Sequence, residues 1–341
     1  MNLQELLDSI DPVLRLSGLR LQDLYNWLLM MGWTWGAGAG LRVLQAAIRL
    51  YHSQQVKLLE DYWRKSRPAL VVSLVPHFNR ALFQSLRRVS PLTPFVTVLT
   101  DFADYPPHFW LERQEQSVIC GSERAVAQAR STGFRDDQIY ETSGMILHPK
   151  FYQKIAVDRD RERQRLGLDP DLPTGLVMFG GQGSSVMVKI ARKLEASKLN
   201  LQLILICGHN ERLAAILRGI RGKVRKYVEG FTTEVPYYMY LADFFIGKPG
   251  PGSISEALAM KLPVILERNA RTLPQERYNA DWVLGKGVGL VMRDFGRITL
   301  TVETLLDPSN FSRFRNNAAA INNRAVFEIP GILNEVLKKT V

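Results

Sequence analysis

The chain is poor in cysteine, has no long apolar run and carries none of the common nucleotide fingerprints, and each shortage removes a class of protein. Two cysteines in 341 residues, Cys120 and Cys207, cannot build a disulfide framework. Each closes an apolar run suited to a buried strand, the two lie far apart in sequence, and a reducing cytosol is the compartment they fit. The longest weakly polar stretch, 24–41, falls short of the ~20 apolar residues of a spanning helix. It also holds four glycines, so no transmembrane helix is expected. Met1-Asn-Leu-Gln-Glu5 has neither a basic start nor an early apolar core, so no export signal is expected. Acidic residues are also in deficit, with 33 Asp and Glu against 44 Lys and Arg, for a formal charge of +11. That balance favours an anionic partner: nucleic acid, an acidic lipid surface or a phosphorylated substrate.

What is present suits two domains of ordinary size. Residues 1–65 have helical spacing, with Leu3, Leu6, Leu7 and Ile10 on one face, a second helix over 21–31 and a third over 41–63. Trp27, Trp33 and Trp35 stand near Arg20, Arg42 and Arg49. They read either as an interfacial membrane patch or as core and loop aromatics beneath a neighbouring helix. From Ala69 the period changes. Strands are expected over 70–75, 95–99, 117–120 and 139–142, with a helix over 78–89 and another capped by Ser122. The loop 100–110 follows a strand's C-terminal end, where open α/β sheets bind ligands. Gly144 and Pro149 mark a junction before a charged helix over 158–168. Asp158 and Asp160 there read as a solvated face rather than a metal site.

The second half alternates strand and helix, which implies a doubly wound parallel sheet. Strands are expected over 175–179, 201–207, 226–230, 243–247, 263–266 and 288–292. Helices are expected between them, and helix throughout 301–339 with a break at Ile329-Pro330. Two glycine turns stand out. Phe179-Gly180-Gly181-Gln182-Gly183-Ser184-Ser185 and Lys248-Pro249-Gly250-Pro251-Gly252-Ser253 each lie between an expected strand and an expected helix. In that context free backbone amides and the positive helix end gather over an anion. Neither turn is a dinucleotide fingerprint, because GGQGSS is not GxGxxG and no acidic residue ends the next strand. No GK[ST] follows, so a Walker loop is excluded as well.

Five segments in order resemble monogalactosyldiacylglycerol synthases and processive diacylglycerol glucosyltransferases of glycosyltransferase family 28, relatives of the lipid-II-forming N-acetylglucosaminyltransferase. They are Gly180–Ser184, Ile206-Cys-Gly-His-Asn210, Gly230-Phe231 with Tyr238-Met239, Lys248–Ala257 and Pro274-Gln-Glu-Arg-Tyr-Asn279. The resemblance spans about residues 70–300. It implies an α/β GT-B fold, two Rossmann-like doubly wound parallel-sheet domains facing a cleft. An acceptor domain is expected over 1–150, a UDP-sugar domain over 151–310, and helices over 311–341 packing back on the first.

The resemblance implies that Gly180, Gly181, Gln182, Gly183, Ser184 and Ser185, with Lys248, Gly250, Gly252 and Ser253, hold the UDP diphosphate. Glu256 would accept from the ribose hydroxyls and Phe231 would line the uracil site. Asn210 and Met239 belong to the same donor-site motifs. Gln275 and Glu276 would hold the sugar, with Asn279 beside them. No metal and no cofactor are implied, the UDP-sugar being the donor substrate. Relatives begin with a strand and a Gly-Gly-Gly-His loop that supplies the favoured base, and this chain lacks that first unit, leaving the N-terminal domain incomplete. Asp101, His108 and His77 are the remaining candidates for the base.

The function implied is transfer of a hexose from UDP-galactose or UDP-glucose to a diacylglycerol-type lipid. The enzyme would sit peripherally on an anionic membrane surface, at the cytoplasmic inner face of the cell membrane, with no nucleic-acid partner. A UDP-sugar 2-epimerase and an inactive UDP-sugar-binding fragment are the alternatives.

Overall fold

The structure, a computed structural model, describes Leu3, residues 50–270 and residues 272–339. The expected helices before residue 50 and the tryptophan cluster Trp27, Trp33 and Trp35 lie outside the described residues. The chain divides into two compact units. The first takes the chain up to Ile146 with Leu273–Gln275 and Arg324–Val341; the second takes Leu147–Thr272 and Glu276–Asn323.

In the first unit α1 (His52–Ser66) precedes β1 (Val71–Ser73), α2 (Asn79–Val89), β2 (Phe95–Val98), β3 (Ser117–Cys120), α3 (Glu123–Thr132) and β4 (Ile139–Glu141). The sheet is parallel with order β1-β2-β3-β4. Side chains alternate across it, as a period of two demands. Phe95 packs with Leu59, Trp63, Leu82 and Leu86 of α1 and α2. Val96 and Val98 join a separate cluster on C-terminal residues Ala325, Ile329 and Val336. Ser122 caps α3 by accepting from the Ala125 amide, and Gly133 ends the helix in the left-handed region.

The second unit runs α4 (Arg159–Arg165), β5 (Thr174–Met178), α5 (Val186–Glu195), β6 (Gln202–Ile206), α6 (Glu211–Arg218), β7 (Lys226–Glu229) and α7 (Val235–Leu241). It continues with β8 (Phe244–Gly247), α8 (Pro251–Ala259), β9 (Val264–Glu267), α9 (Pro274–Lys286, which enters this unit at Glu276), β10 (Gly289–Met292), α10 (Ile298–Leu306) and α11 (Pro308–Ala320). All pairs are parallel, in the order β10-β9-β8-β5-β6-β7. The central β5, β6 and β8 are buried on both faces, which is why their sequences are continuous apolar runs rather than alternating ones. Asp158 caps α4 through the Asp160 and Arg161 amides, so the acidic pair serves a helix end. Arg159 and Arg163 of that helix grip Asp243, at the start of β8, at 2.7 Å each. Burial alone would raise the Asp243 carboxyl, but the two guanidiniums outweigh it and hold it below its usual range.

The C-terminal helices break elsewhere than expected. α12 (Ala325–Lys338) carries Pro330 inside it, and the interruptions fall at Asp307 and at 321–324. At the latter the chain leaves the second unit, and the start of α12 is fastened to the first: Ser143 donates from its amide and hydroxyl to Glu328 at 2.8 and 2.7 Å. Cys120 and Cys207 are free and buried, and burial pushes their thiols up to about 12 and about 11. Among the described residues no helix is long and apolar enough to cross a membrane.

Candidate functional site

In the second unit the strand order reverses between β5 and β8: from β5 the chain moves toward β6 and β7, from β8 toward β9 and β10. Such a switch point opens a crevice at the strands' C-terminal ends. Both glycine turns lie there, on neighbouring strands. In the first, Gly180 (φ 77°) and Gly183 (φ 62°) take conformations that L side chains resist. The Gly183 amide closes the turn on the Gly180 carbonyl at 3.1 Å. Val186, Met187 and Val188, the first residues of α5, donate to the Ser184 hydroxyl, the Ser184 carbonyl and the Ser185 carbonyl. Within the turn, the amides of Gly180, Gly181, Gln182, Ser184 and Ser185 have no partner among the described residues. The free donors here therefore belong to the turn itself rather than to the helix's first turn.

The corner after β6 buttresses this turn. Gly208 (φ 60°) brings the next amide, of His209, onto the Gly181 carbonyl at 2.8 Å. Asn210 caps α6 by accepting from Leu213 and donates to the Gln182 carbonyl at 3.3 Å. Its side chain thus stitches two loops together, a structural task beside the donor-contact role expected for it. A Cβ at Gly183 would stand 2.7 Å from the Cys207 carbonyl oxygen, so the two corners interlock at van der Waals range.

In the second turn α8 starts at Pro251, two residues before the expected Ser253, with Gly250 as an N-cap that offers no side chain. The Gly252 and Ser253 amides are left uncapped. Lys248 pairs with Glu276 of α9 at 2.8 Å. Asn279, one turn on, is fully buried and donates to the Pro249 carbonyl at 2.8 Å. Its Oδ1 and the Oε1 of Gln275 are buried without partners among the described residues. Glu256, in the second turn of α8, has no partner among the described residues, and burial pushes its carboxyl up to about 7.

At the C-terminal end of β7, Phe231 is 56 % exposed and stacks on His209, ring centroids 4.0 Å apart and 16° from parallel. Glu229 sets this corner by accepting from the Tyr227 hydroxyl at 2.9 Å, the Tyr238 hydroxyl and the Gly230 amide. Met239 is fully buried inside α7, so it contributes packing where a donor contact was expected. His209 is the residue that sequence reasoning missed. It lies within the motif Ile206–Asn210, but the stack joining it to Phe231 crosses between two loops.

In the first unit the three candidate bases gather around one loop. Asp101 is buried and accepts from the indole of Trp110 at 2.9 Å. His77 (φ 66°) sits edge-on to Phe109, centroids 4.3 Å apart, and its amide donates to the Phe109 carbonyl. Burial lowers the His77 imidazole to about 4. His108 (φ 62°) is exposed, with Nδ1 3.1 Å from the Leu111 carbonyl. Asp104, not singled out from the sequence, anchors the loop by accepting from the His108 and Trp110 amides at 3.0 and 2.6 Å. Burial raises its carboxyl even against those bonds.

Residues 176–329 match the glycosyltransferase family 28 C-terminal domain. The chain is 30 % identical over 336 residues to monogalactosyldiacylglycerol synthase of Spinacia oleracea, a match over 93 % of this chain and 63 % of the relative. It is 31 % identical over 258 residues to monogalactosyldiacylglycerol synthase 2 of Arabidopsis thaliana, covering 73 % and 53 %. The matches span 63 % and 53 % of those relatives' own length. The fold is shared with the UDP complex of S. aureus MnaA (TM-score 0.63, 15 % identity, 84 % of this chain and 79 % of that one). It is shared also with MurG of Acinetobacter baumannii (TM-score 0.61, 13 % identity, 82 % and 77 %). Two parallel-sheet α/β units in one chain agree with the expected GT-B class.

Proposed function

We propose that this chain moves a hexose from UDP-galactose or UDP-glucose to the hydroxyl of a diacylglycerol-type lipid, working peripherally at an anionic, cytosolic membrane face. The observation that carries the proposal is the pair of glycine turns on neighbouring strands, whose uncapped amides share the switch point with the unpartnered Glu256 carboxylate. Diphosphate oxygens would accept from the Gly181, Gln182, Ser184 and Ser185 amides on one side. Gly252 and Ser253 would serve them on the other. Ribose hydroxyls would donate to Glu256, uracil would lie beside Phe231, and Gln275 and Glu276 would meet the sugar. In the first unit His108 would serve as the base. With Nδ1–H donated to Leu111, its Nε2 is left as the lone-pair nitrogen. It would take the acceptor hydroxyl's proton as that oxygen bonds to the anomeric carbon. The bond from that carbon to UDP would break, and the diphosphate would leave with the electron pair.

Two measurements test the reading. UDP release and glycolipid formation are expected when UDP-galactose or UDP-glucose is supplied with diacylglycerol in anionic vesicles. Donor conversion without lipid would replace the transferase reading with an epimerase. Donor affinity is also expected to depend on pH. Hydroxyl donors favour an ionised Glu256, so binding costs more wherever the carboxyl is protonated. Affinity for a UDP-hexose, whose own phosphates do not titrate here, should rise through about pH 7 and be about tenfold weaker at pH 6 than on the plateau. Without ligand the sign reverses: the raised carboxyl contributes stability that is complete below its usual 4.5 and gone above about 7. Glu256→Gln should flatten the binding profile, and Glu256→Ala should weaken UDP by roughly 1.5–3 kcal/mol. Calorimetry giving an unchanged profile and affinity in both variants would remove Glu256 from the site.

A further inference from the structure

Lys248 looks from the sequence like a spare positive charge for a diphosphate, but its ammonium is already engaged. Nζ lies 2.8 Å from Oε1 of Glu276. The Glu276 side chain is only 10 % exposed, whereas that of Lys248 is 45 % exposed. A carboxylate so far out of water needs a cation or several donors.

A second contact runs in parallel one turn along α9, where Asn279 donates to the Pro249 carbonyl. The turn between β8 and α8 is therefore pinned to α9 at two successive residues, Lys248 by charge and Pro249 by an amide. Gly250 completes the fit. A Cβ there would stand 3.7 Å from the Glu276 Oε1, so the carboxylate rests against the N-cap of α8.

We infer that Lys248 is a positioning residue for hexose recognition: it holds the Glu276 carboxylate beside the N-cap of α8, where a nucleotide-linked sugar meets it. The inference rests on the donor site proposed above and deepens it. An ammonium has three N–H groups, and the one committed to Glu276 leaves two for ligand oxygens. Sugar and phosphate recognition are thereby joined through one side chain. Loss of Lys248 releases a buried carboxylate from its cation, and the part of the ligand that suffers is the part Glu276 touches.

Calorimetric affinities for UDP and for UDP-galactose and UDP-glucose provide the test, with stability followed by chemical denaturation. In Lys248→Met the better-bound UDP-hexose is expected to lose about tenfold more affinity than UDP, so the preference for the sugar disappears. Lys248→Arg, which can re-form the pair, should restore most of it. Glu276→Gln should lose the same preference, and the double variant K248M/E276Q should show no further loss of that preference beyond E276Q alone. Equal losses for UDP and UDP-hexose in K248M, or additive losses of the sugar preference in the double variant, would overturn the inference while leaving the donor site in place. A wild-type protein that binds neither UDP nor a UDP-hexose would overturn both.

Discussion

His108→Asn is expected to lower lipid-dependent turnover by about 10²–10⁴-fold, the range for removing a positioned general base, while leaving UDP affinity and stability close to wild type. Asparagine is the informative replacement for two reasons. Residue 108 sits at φ 62°, and among side chains other than glycine asparagine tolerates that region best. Its Nδ2 also occupies the place of the imidazole Nδ1, so the bond to the Leu111 carbonyl can survive. What disappears is Nε2 alone. His108→Gln keeps a polar atom near Nε2 but cannot accept and pass on a proton, so it should be equally slow. Loss confined to kcat would mark a base. A fall in UDP affinity, or unchanged turnover in both variants, would return the role to another group.

The neighbouring candidates are poorer bases on physical grounds. His77 gives up its proton near pH 4 because burial disfavours the imidazolium, so at neutral pH it offers little driving force for taking one from an alcohol. Asp101 accepts the Trp110 indole and is almost wholly out of solvent. Both fix the aromatic pair Phe109 and Trp110, whose rings meet edge to face at 6.0 Å. Asp104 adds two backbone bonds to the same loop. Most of the polar groups here therefore shape the loop, and His108 is the exposed one that the shaping presents.

How much of this was visible beforehand depends on how local the cause was. The strands of both sheets follow from β-branched apolar runs between breakers, and that signal is carried by each segment alone. Ser122 as a cap is equally local. The start of α8 lies two residues earlier than expected although its rule is local too, because the expectation gives Pro251 and Gly252 to the glycine turn. Proline at the first helical position gives up an amide that would be unpaired anyway. Pro330 misled in the opposite sense, since α12 absorbs it and the nearest interruption lies at 321–324, where the chain changes units. The site's polar partners were not legible. Lys248 and Glu276 are 28 positions apart, Asn279 and Pro249 are 30 apart, and His209 meets Phe231 across two loops. Spacing in sequence has no bearing on such pairs. The resemblance supplied names for these residues, but not the fact that several of them hold one another.

Gly208→Ala is expected to cost about 2–4 kcal/mol of stability and to weaken UDP binding by about 100-fold or more. Two costs add at this position. Its φ of 60° is the left-handed region, where a Cβ crowds the following carbonyl. That Cβ would also fall on the Gly181 carbonyl oxygen and carbon, main-chain atoms that cannot rotate aside. The protein's way out is to push the Gly180–Gly183 turn away from the β6 corner. That motion stretches the His209 amide bond to Gly181 and displaces the Gly181 and Gln182 amides. Affinity should therefore fall by more than one hydrogen bond's worth, because the amides act as a set. Gly285→Ala in the last turn of α9 is the control: nothing stands within 4 Å of its Cβ, and the exchange should gain at most the roughly 0.5–1 kcal/mol of a helix interior. Denaturation curves and UDP calorimetry on the two variants separate the effects. A Gly208→Ala protein that keeps wild-type UDP affinity would show that the turn after β5 binds no diphosphate, and the donor site would have to be sought elsewhere on the unit.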